Sequence, residues 1–305
     1  NFRKILLQHF WEMPMISILC SLFPPLLFPS LLAAFGASIA AGIVGSYIVV
    51  KRIVSISGSI AHSILGGVGI ALWLQYQFNL PISPLHGAIA SAIFVAICIG
   101  NVHLKYHERE DSIISMIWSI GMAIGIICIS KLPSFNSELS DFLFGNILWV
   151  TPQDLYFLGI LDLFIVATVS ICHTRFLALC FDEKYMALNH YSIKTWYLLL
   201  LILTAITTVV LMYVMGVILM LSMLVLPVSI ACRFSYKMSH IIYIASILNI
   251  VCSFLGIMLA YLLDLPVGPV IAILMGGAYS LSLLLNRSYN ASTPSPVSPE
   301  SKINS

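Results

Sequence analysis

Charge is what this chain has least of: Asp, Glu, Lys and Arg make up 9% of its 305 residues, against 60% hydrophobic ones. A soluble core of that composition would lack the polar surface needed to cover it, so a water-soluble globular protein is excluded. The motifs of several chemistries are missing too. There is no G-x-x-x-x-G-K-[ST] phosphate loop, so nucleotide hydrolysis is not expected of this chain itself, and no H-E-x-x-H pair of a zinc protease. The apolar stretches contain no paired carboxylates of the kind that relay protons. Seven cysteines (Cys20, Cys98, Cys128, Cys172, Cys180, Cys232 and Cys252) are odd in number and scattered, with no C-x-x-C pair. They read as packing residues, not as a metal knuckle or a disulfide framework. A formal net charge of +2 is too small to draw a nucleic-acid partner.

What the sequence does have is long apolar runs. A helix rises ~1.5 Å per residue and needs roughly 20 apolar residues to cross a ~30 Å hydrocarbon layer. Nine stretches meet that length, near residues 26–50, 56–77, 84–102, 112–130, 154–174, 195–213, 215–232, 239–262 and 266–286. Lipid offers no hydrogen-bond partners, so each backbone must satisfy itself and the spans are expected to be helices. The fold class is therefore all-α, a polytopic transmembrane bundle in contact with membrane lipid. Basic residues gather at every second junction: Lys51 and Arg52, Lys105 and Arg109, Arg175 with Lys184 and Lys194, Arg233 and Lys237, then Arg287. The positive-inside rule assigns those junctions to the cytoplasm.

The domain expectations follow from these runs. Residues 26–287 form the membrane domain. Residues 1–25 contain an apolar stretch interrupted by His9, Glu12 and three prolines. It reads as an interfacial helix, with a tenth span or a signal-like segment as alternatives. Residues 288–305, rich in Ser and Pro, have nothing to bury and are expected to be a disordered cytoplasmic tail. A short apolar run, Phe142–Trp149, is too short to cross and reads as a re-entrant or surface helix on the outer side. From Thr195 to Cys232 the apolar run is nearly continuous, which is two spans' worth, so a tight turn is expected near Tyr213–Gly216, where Gly216 relaxes the backbone.

Within the spans, His62 stands out among small neighbours from Ser55 to Gly67. An ionisable group inside a membrane is a candidate functional residue, and a neutral imidazole suits zinc, iron or manganese. The alternative is a histidine hydrogen-bonded in a packing seam. Helical spacing places Ser55, Ser59 and His62 on one face, continued by Gly66 and Gly69. Asp162 lies inside another span and is a second candidate for metal transit, or a structural hydrogen-bonding group. Methionines 212, 215, 220 and 223 read as packing residues rather than soft ligands. The stretch Phe181–His190 reads as a short amphipathic surface helix or a solvated connection.

Four stretches, taken together, resemble a known family: Ala41–Arg52, then directly Ser57–Gly67, then Phe144–Pro152 running on to Phe181-Asp-Glu, and Gly216–Pro227 with Leu263–Gly268 near the end. In this order they are similar to the permease subunits of ATP-binding-cassette importers for zinc, manganese and iron, the ABC-3 family, over roughly Ser30 to Asn286. The resemblance implies a bacterial inner-membrane permease that pairs with a second permease subunit, identical or paralogous. It also implies coupling to cytoplasmic ATP-binding subunits and receipt of a divalent metal from an extracytoplasmic metal-binding protein. No cofactor is implied, the metal being cargo. The position of His62 is linked to metal passage in relatives, with Ser59 and Asp162 as weaker candidates here. Relatives often carry Asp four residues earlier, where this chain has Gly58. Asn189 replaces a Gly that commonly follows the Ala-Leu pair, and Asn tolerates the left-handed conformation. By similarity to the related vitamin importers, the segment from Pro227 through Arg233 and Lys237 to His240 is the first expectation for the ATPase contact, and Asp182–His190 the second. An ATPase-independent cation carrier or channel is the alternative function, and a multi-pass membrane enzyme a more distant one.

Overall fold

The computed structural model describes residues 27–106, 110–133, 142, 145, 147 and 150–292. Ten helices account for nearly all of them: α1 (Leu27–Val50), α2 (Val54–Phe78), α3 (Pro84–Tyr106), α4 (Glu110–Ile129), α5 (Pro152–Phe181), α6 (Glu183–Leu188), α7 (Ile193–Met215), α8 (Val217–Phe234), α9 (Met238–Leu263) and α10 (Val267–Ser292). Among the described residues, the nine other than α6 are long and apolar enough to cross a membrane, and no strand occurs. The chain is an all-α polytopic bundle. The N-terminal segment 1–25 lies outside the described residues. α10 continues to Ser292, past the expected start of the tail, and the rest of 288–305 also lies outside them.

Helices in lipid gain little from hiding apolar surface from one another, because the surrounding tails are as apolar as leucine. Close van der Waals packing and interhelical hydrogen bonds must hold them instead. α1 shows this best. Its Gly42 lies against Ser246 of α9, its Gly45 against the Leu224 carbonyl of α8, and its Gly36 against Leu158 and Asp162 of α5. α2 is a second hub: Gly66 and Gly69 face the backbones of Gly121 and Gly125 in α4, and Gly67 meets Gly87 of α3. The small-residue run after His62 is thus closed by neighbouring helices and does not extend the open face, as its spacing had suggested.

Two devices handle breaks in backbone hydrogen bonding. Pro227 sits inside α8 and has no N–H to offer, which frees the Met223 carbonyl one turn earlier. Asn249 of α9 donates to that carbonyl at 3.1 Å, sparing a bare acceptor in the apolar interior. The turn between α7 and α8 is Gly216 alone, at φ +80°, which caps both helices: its N–H donates to Met212 O at 2.7 Å and its carbonyl accepts from Met220 N at 3.1 Å. The two helices diverge from this single residue, α7 packing on α3 and α5 while α8 packs on α9, α10 and α1. Gly145, from the segment read as re-entrant, packs directly on Met215 and Gly216. Most of that segment lies outside the described residues.

α5 runs past the expected end of its span. It opens with a capping box, Thr151 and Asp154, with Pro152 in its first turn, and meets no stop signal before Asp182. Its 30 residues rise about 45 Å, more than a ~30 Å hydrocarbon core needs. The surplus carries Arg175 and Phe176 toward the side where the basic residues gather. If the nine candidate spans among the described residues each cross once, every basic junction falls on one side. Cysteines introduced at Lys51, Lys105, Lys184 and Lys237 are accordingly expected to react with an impermeant maleimide only when the cytoplasmic face is opened. Labelling of two of them in intact cells would invert the topology.

Candidate functional site

His62 lies in α2, half-buried, with its imidazole stacked on the indole of Trp118 in α4. The ring centroids are 4.5 Å apart and the planes differ by 7°. Gly58, one turn earlier on the same side of the helix, faces open space: a Cβ there would meet nothing within 4 Å. Ser55 is exposed a further turn back. Ser59 is not on this open side. It is fully buried, and its hydroxyl donates to Ile114 O at 3.1 Å, stitching α2 to α4. The open face is therefore Ser55, Gly58 and His62, with Ser59 turned into the seam.

Asp162 belongs to another neighbourhood. It points at α1, where the bare Cα of Gly36 makes room for it; a Cβ at residue 36 would stand 2.7 Å from Asp162 Oδ2. Its Oδ1 is buried and has no hydrogen-bond partner among the described residues. α5 packs on α1 and α7, whereas α2 packs chiefly on α4 and α3, with a smaller contact to α7. The two candidate ligands thus face different helices. Among the described residues no three His, Cys, Asp or Glu side chains gather as a metal cluster. Within one chain, His62 is a single donor on an open face. Trp118 was not anticipated, although a signal existed: tryptophan favours the membrane interfaces, and Trp118 stands mid-span.

The two expected ATPase-contact segments differ in build. Between α8 and α9 the chain has only Ser235–Lys237, with no helix of its own. Pro227 is buried in the middle of α8, away from any contact surface at its end. Arg233 is turned inward, its guanidinium 5.2 Å from the Tyr279 ring centroid of α10 and 3.5 Å from that phenol oxygen. Lys237 and His240 remain exposed. By contrast, Asp182–His190 holds a defined helix. The Asp182 N–H donates to Ala178 O at 2.8 Å, ending α5, and its carboxylate accepts from Tyr185 N at 2.9 Å, starting α6.

α6 is anchored on its inner side and bare on its outer side. Met186 is fully buried, while Leu188 is 80% and Tyr185 54% exposed. Arg175 spans the exit from the helix, 5.5 Å from the Tyr191 ring and 4.9 Å from the Trp196 ring of α7. Phe176 meets Trp196 edge-on and leans on Tyr47 of α1, whose hydroxyl lies 2.7 Å from His173 Nδ1. Lys51 at the end of α1 donates to Leu179 O at 2.8 Å. The left-handed residue at the exit of α6 is His190, at φ +57°, and not Asn189, which keeps φ −88° and bonds Tyr185 O through its side-chain amide at 2.9 Å.

A polytopic helical bundle with a lone imidazole on an open intramembrane face, and a short helix with exposed apolar residues at one end, has the build of a membrane transport subunit. Comparison with known proteins gives the family: residues 24–286 match the ABC 3 transport family, and the chain belongs to it. It is 99% identical over 293 residues, 96% of this chain and all of the relative, to a probable metal transport system membrane protein of Chlamydia trachomatis. It is 28% identical over 239 residues, 78% of this chain and 83% of the relative, to the manganese transport system membrane protein MntC of Listeria monocytogenes. Among solved structures, PsaBC from Streptococcus pneumoniae in complex with Fab superposes with a TM-score of 0.77 at 26% identity, over 88% of this chain and 95% of that one.

Proposed function

We propose that this chain is the pore-forming permease of a bacterial inner-membrane importer for divalent transition metal ions, of the zinc, manganese and iron group. It pairs with a second permease and alternates access as cytoplasmic partner subunits hydrolyse ATP. An extracytoplasmic binding protein delivers the metal. The observation that carries the reading is the family match across the whole membrane domain, within which His62 sits beside the open position of Gly58. An imidazole is a borderline ligand that suits all three metals, with geometry deciding among them. A lone donor also suits transit, since an ion held by a closed shell would not leave.

On the cytoplasmic side, α6 is the surface that would receive the ATPase. A solvent-facing Leu and Tyr on an anchored helix leave apolar area that a partner would cover, whereas Arg233 is already engaged with Tyr279. The test is reconstitution of the permease with its ATPase and binding protein in liposomes. ATP hydrolysis is expected to rise severalfold with metal-loaded binding protein, and uptake to require both ATP and that protein. Uptake by the permease alone, down a metal gradient and indifferent to ATP, would overturn the reading in favour of an ATPase-independent carrier or channel.

A further inference from the structure

We infer that Trp118 is a positioning residue for metal passage, holding the His62 ring by its face so that either ring nitrogen, according to tautomer, can be presented to an ion; this rests on the reading of His62 as a transit ligand. An imidazole ligand needs its plane fixed, because the nitrogen lone pair lies in that plane and must point at the metal. The usual device is a hydrogen bond to the second ring nitrogen, which fixes the tautomer but occupies one edge of the ring. Here no hydrogen bond reaches either nitrogen of His62 among the described residues. The ring is instead held by a near-parallel stack at 4.5 Å. Stacking constrains the plane from one face and leaves the whole edge free.

The support beneath the stack is firm. Trp118 Nε1–H donates to Met122 Sδ at 3.2 Å, one turn along α4, which fixes the indole. α4 is in turn seated on α2 by the Gly66–Gly121 and Gly69–Gly125 approaches and by the Ser59 hydroxyl on Ile114 O, all within two turns of His62. Trp118 is still 43% exposed, so it is not core packing. The electron-rich indole face also favours an imidazole that gains positive charge when it binds a cation. The stack thus orients the empty ring and stabilises the occupied one.

The experiment compares Trp118→Phe, Trp118→Leu and His62→Ala in the reconstituted transporter, reading metal uptake against concentration of metal-loaded binding protein, ATPase co-purification, and tryptophan fluorescence with Co2+ as probe. Phe keeps a stacking ring and is expected to transport like the wild type. Leu is apolar but smaller and has no ring to stack, and its KM is expected to rise about three- to tenfold, the scale of a lost aromatic pair, with co-purification unchanged. Co2+ is expected to quench a saturable part of the fluorescence that is absent from Trp118→Phe and from His62→Ala. Wild-type KM in Trp118→Leu, or the same saturable quenching in Trp118→Phe as in the wild type, would overturn the positioning role. Normal uptake by His62→Ala would instead remove the transit reading on which it rests.

Discussion

Metal uptake by His62→Ala is expected to fall on the order of 10- to 100-fold, at least the cost of disturbing a ligand's supporting partner, while basal ATP hydrolysis and assembly stay near wild type. The separation follows from where the residue sits. His62 is half-buried, makes no hydrogen bond among the described residues, and faces the opening at Gly58, so its removal leaves no orphaned partner in the bundle. Within the bundle only the stack on Trp118 is lost with it, so the main effect falls on an ion in transit. The check is uptake of radioactive zinc or manganese into proteoliposomes, alongside ATPase co-purification. Wild-type uptake at normal expression would make His62 a packing histidine. A companion variant uses the space at residue 58: Gly58→Asp meets no neighbour at its Cβ and adds a hard oxygen donor one turn from the imidazole. It is expected to tighten metal binding and move preference toward manganese.

The spans were legible because lipid forces each crossing segment into one regular structure of fixed length, and the helices fall within a few residues of the apolar runs. Their partners were not. The same glycine spacing after His62 is compatible with a pathway or with a packing seam, and only the three-dimensional neighbours decide: Gly66 and Gly69 abut α4, whereas Gly58 abuts nothing. Ser59 was placed on the face of His62 for the same reason, although it is Gly58, one residue earlier, that lies beside the opening and the Ser59 hydroxyl is used between helices. The length of α5 was underestimated because a hydropathy reading stops where polar residues begin, while a capped helix continues until its backbone meets a terminator. The fate of Arg233 depends on Tyr279, distant in sequence, which no local pattern connects to it.

Joint replacement of Tyr185 and Leu188 by Asp is expected to release the ATPase from the purified complex. These two side chains are the exposed apolar part of α6, and each placed in an interface pocket would contribute about 2 kcal/mol or more, so losing even one weakens binding roughly 30-fold. Aspartate adds a desolvation cost at the same positions. The permease itself should persist, because α6 is held from its other side by Met186, by the Asp182 cap and by Arg175 between Tyr191 and Trp196. Charge reversal of Arg233 and Lys237 provides the contrast. Arg233 is bound to Tyr279 within the chain, so its reversal should lower the stability of the α8–α10 contact and leave most of the ATPase in place. The measurement is co-purification of the ATPase with tagged permease in both double variants, with detergent-solubilised melting as the control for folding. Retention of the ATPase by the α6 variant, together with its loss from a folded Arg233 and Lys237 variant, would move the contact to the α8–α9 turn, where Lys237 and His240 are exposed. Loss from the α6 variant alone would put the ATPase contact on α6, which joins α5 to α7 and lies at the end of the bundle where Phe176 packs on Tyr47 of α1 and on Trp196 of α7.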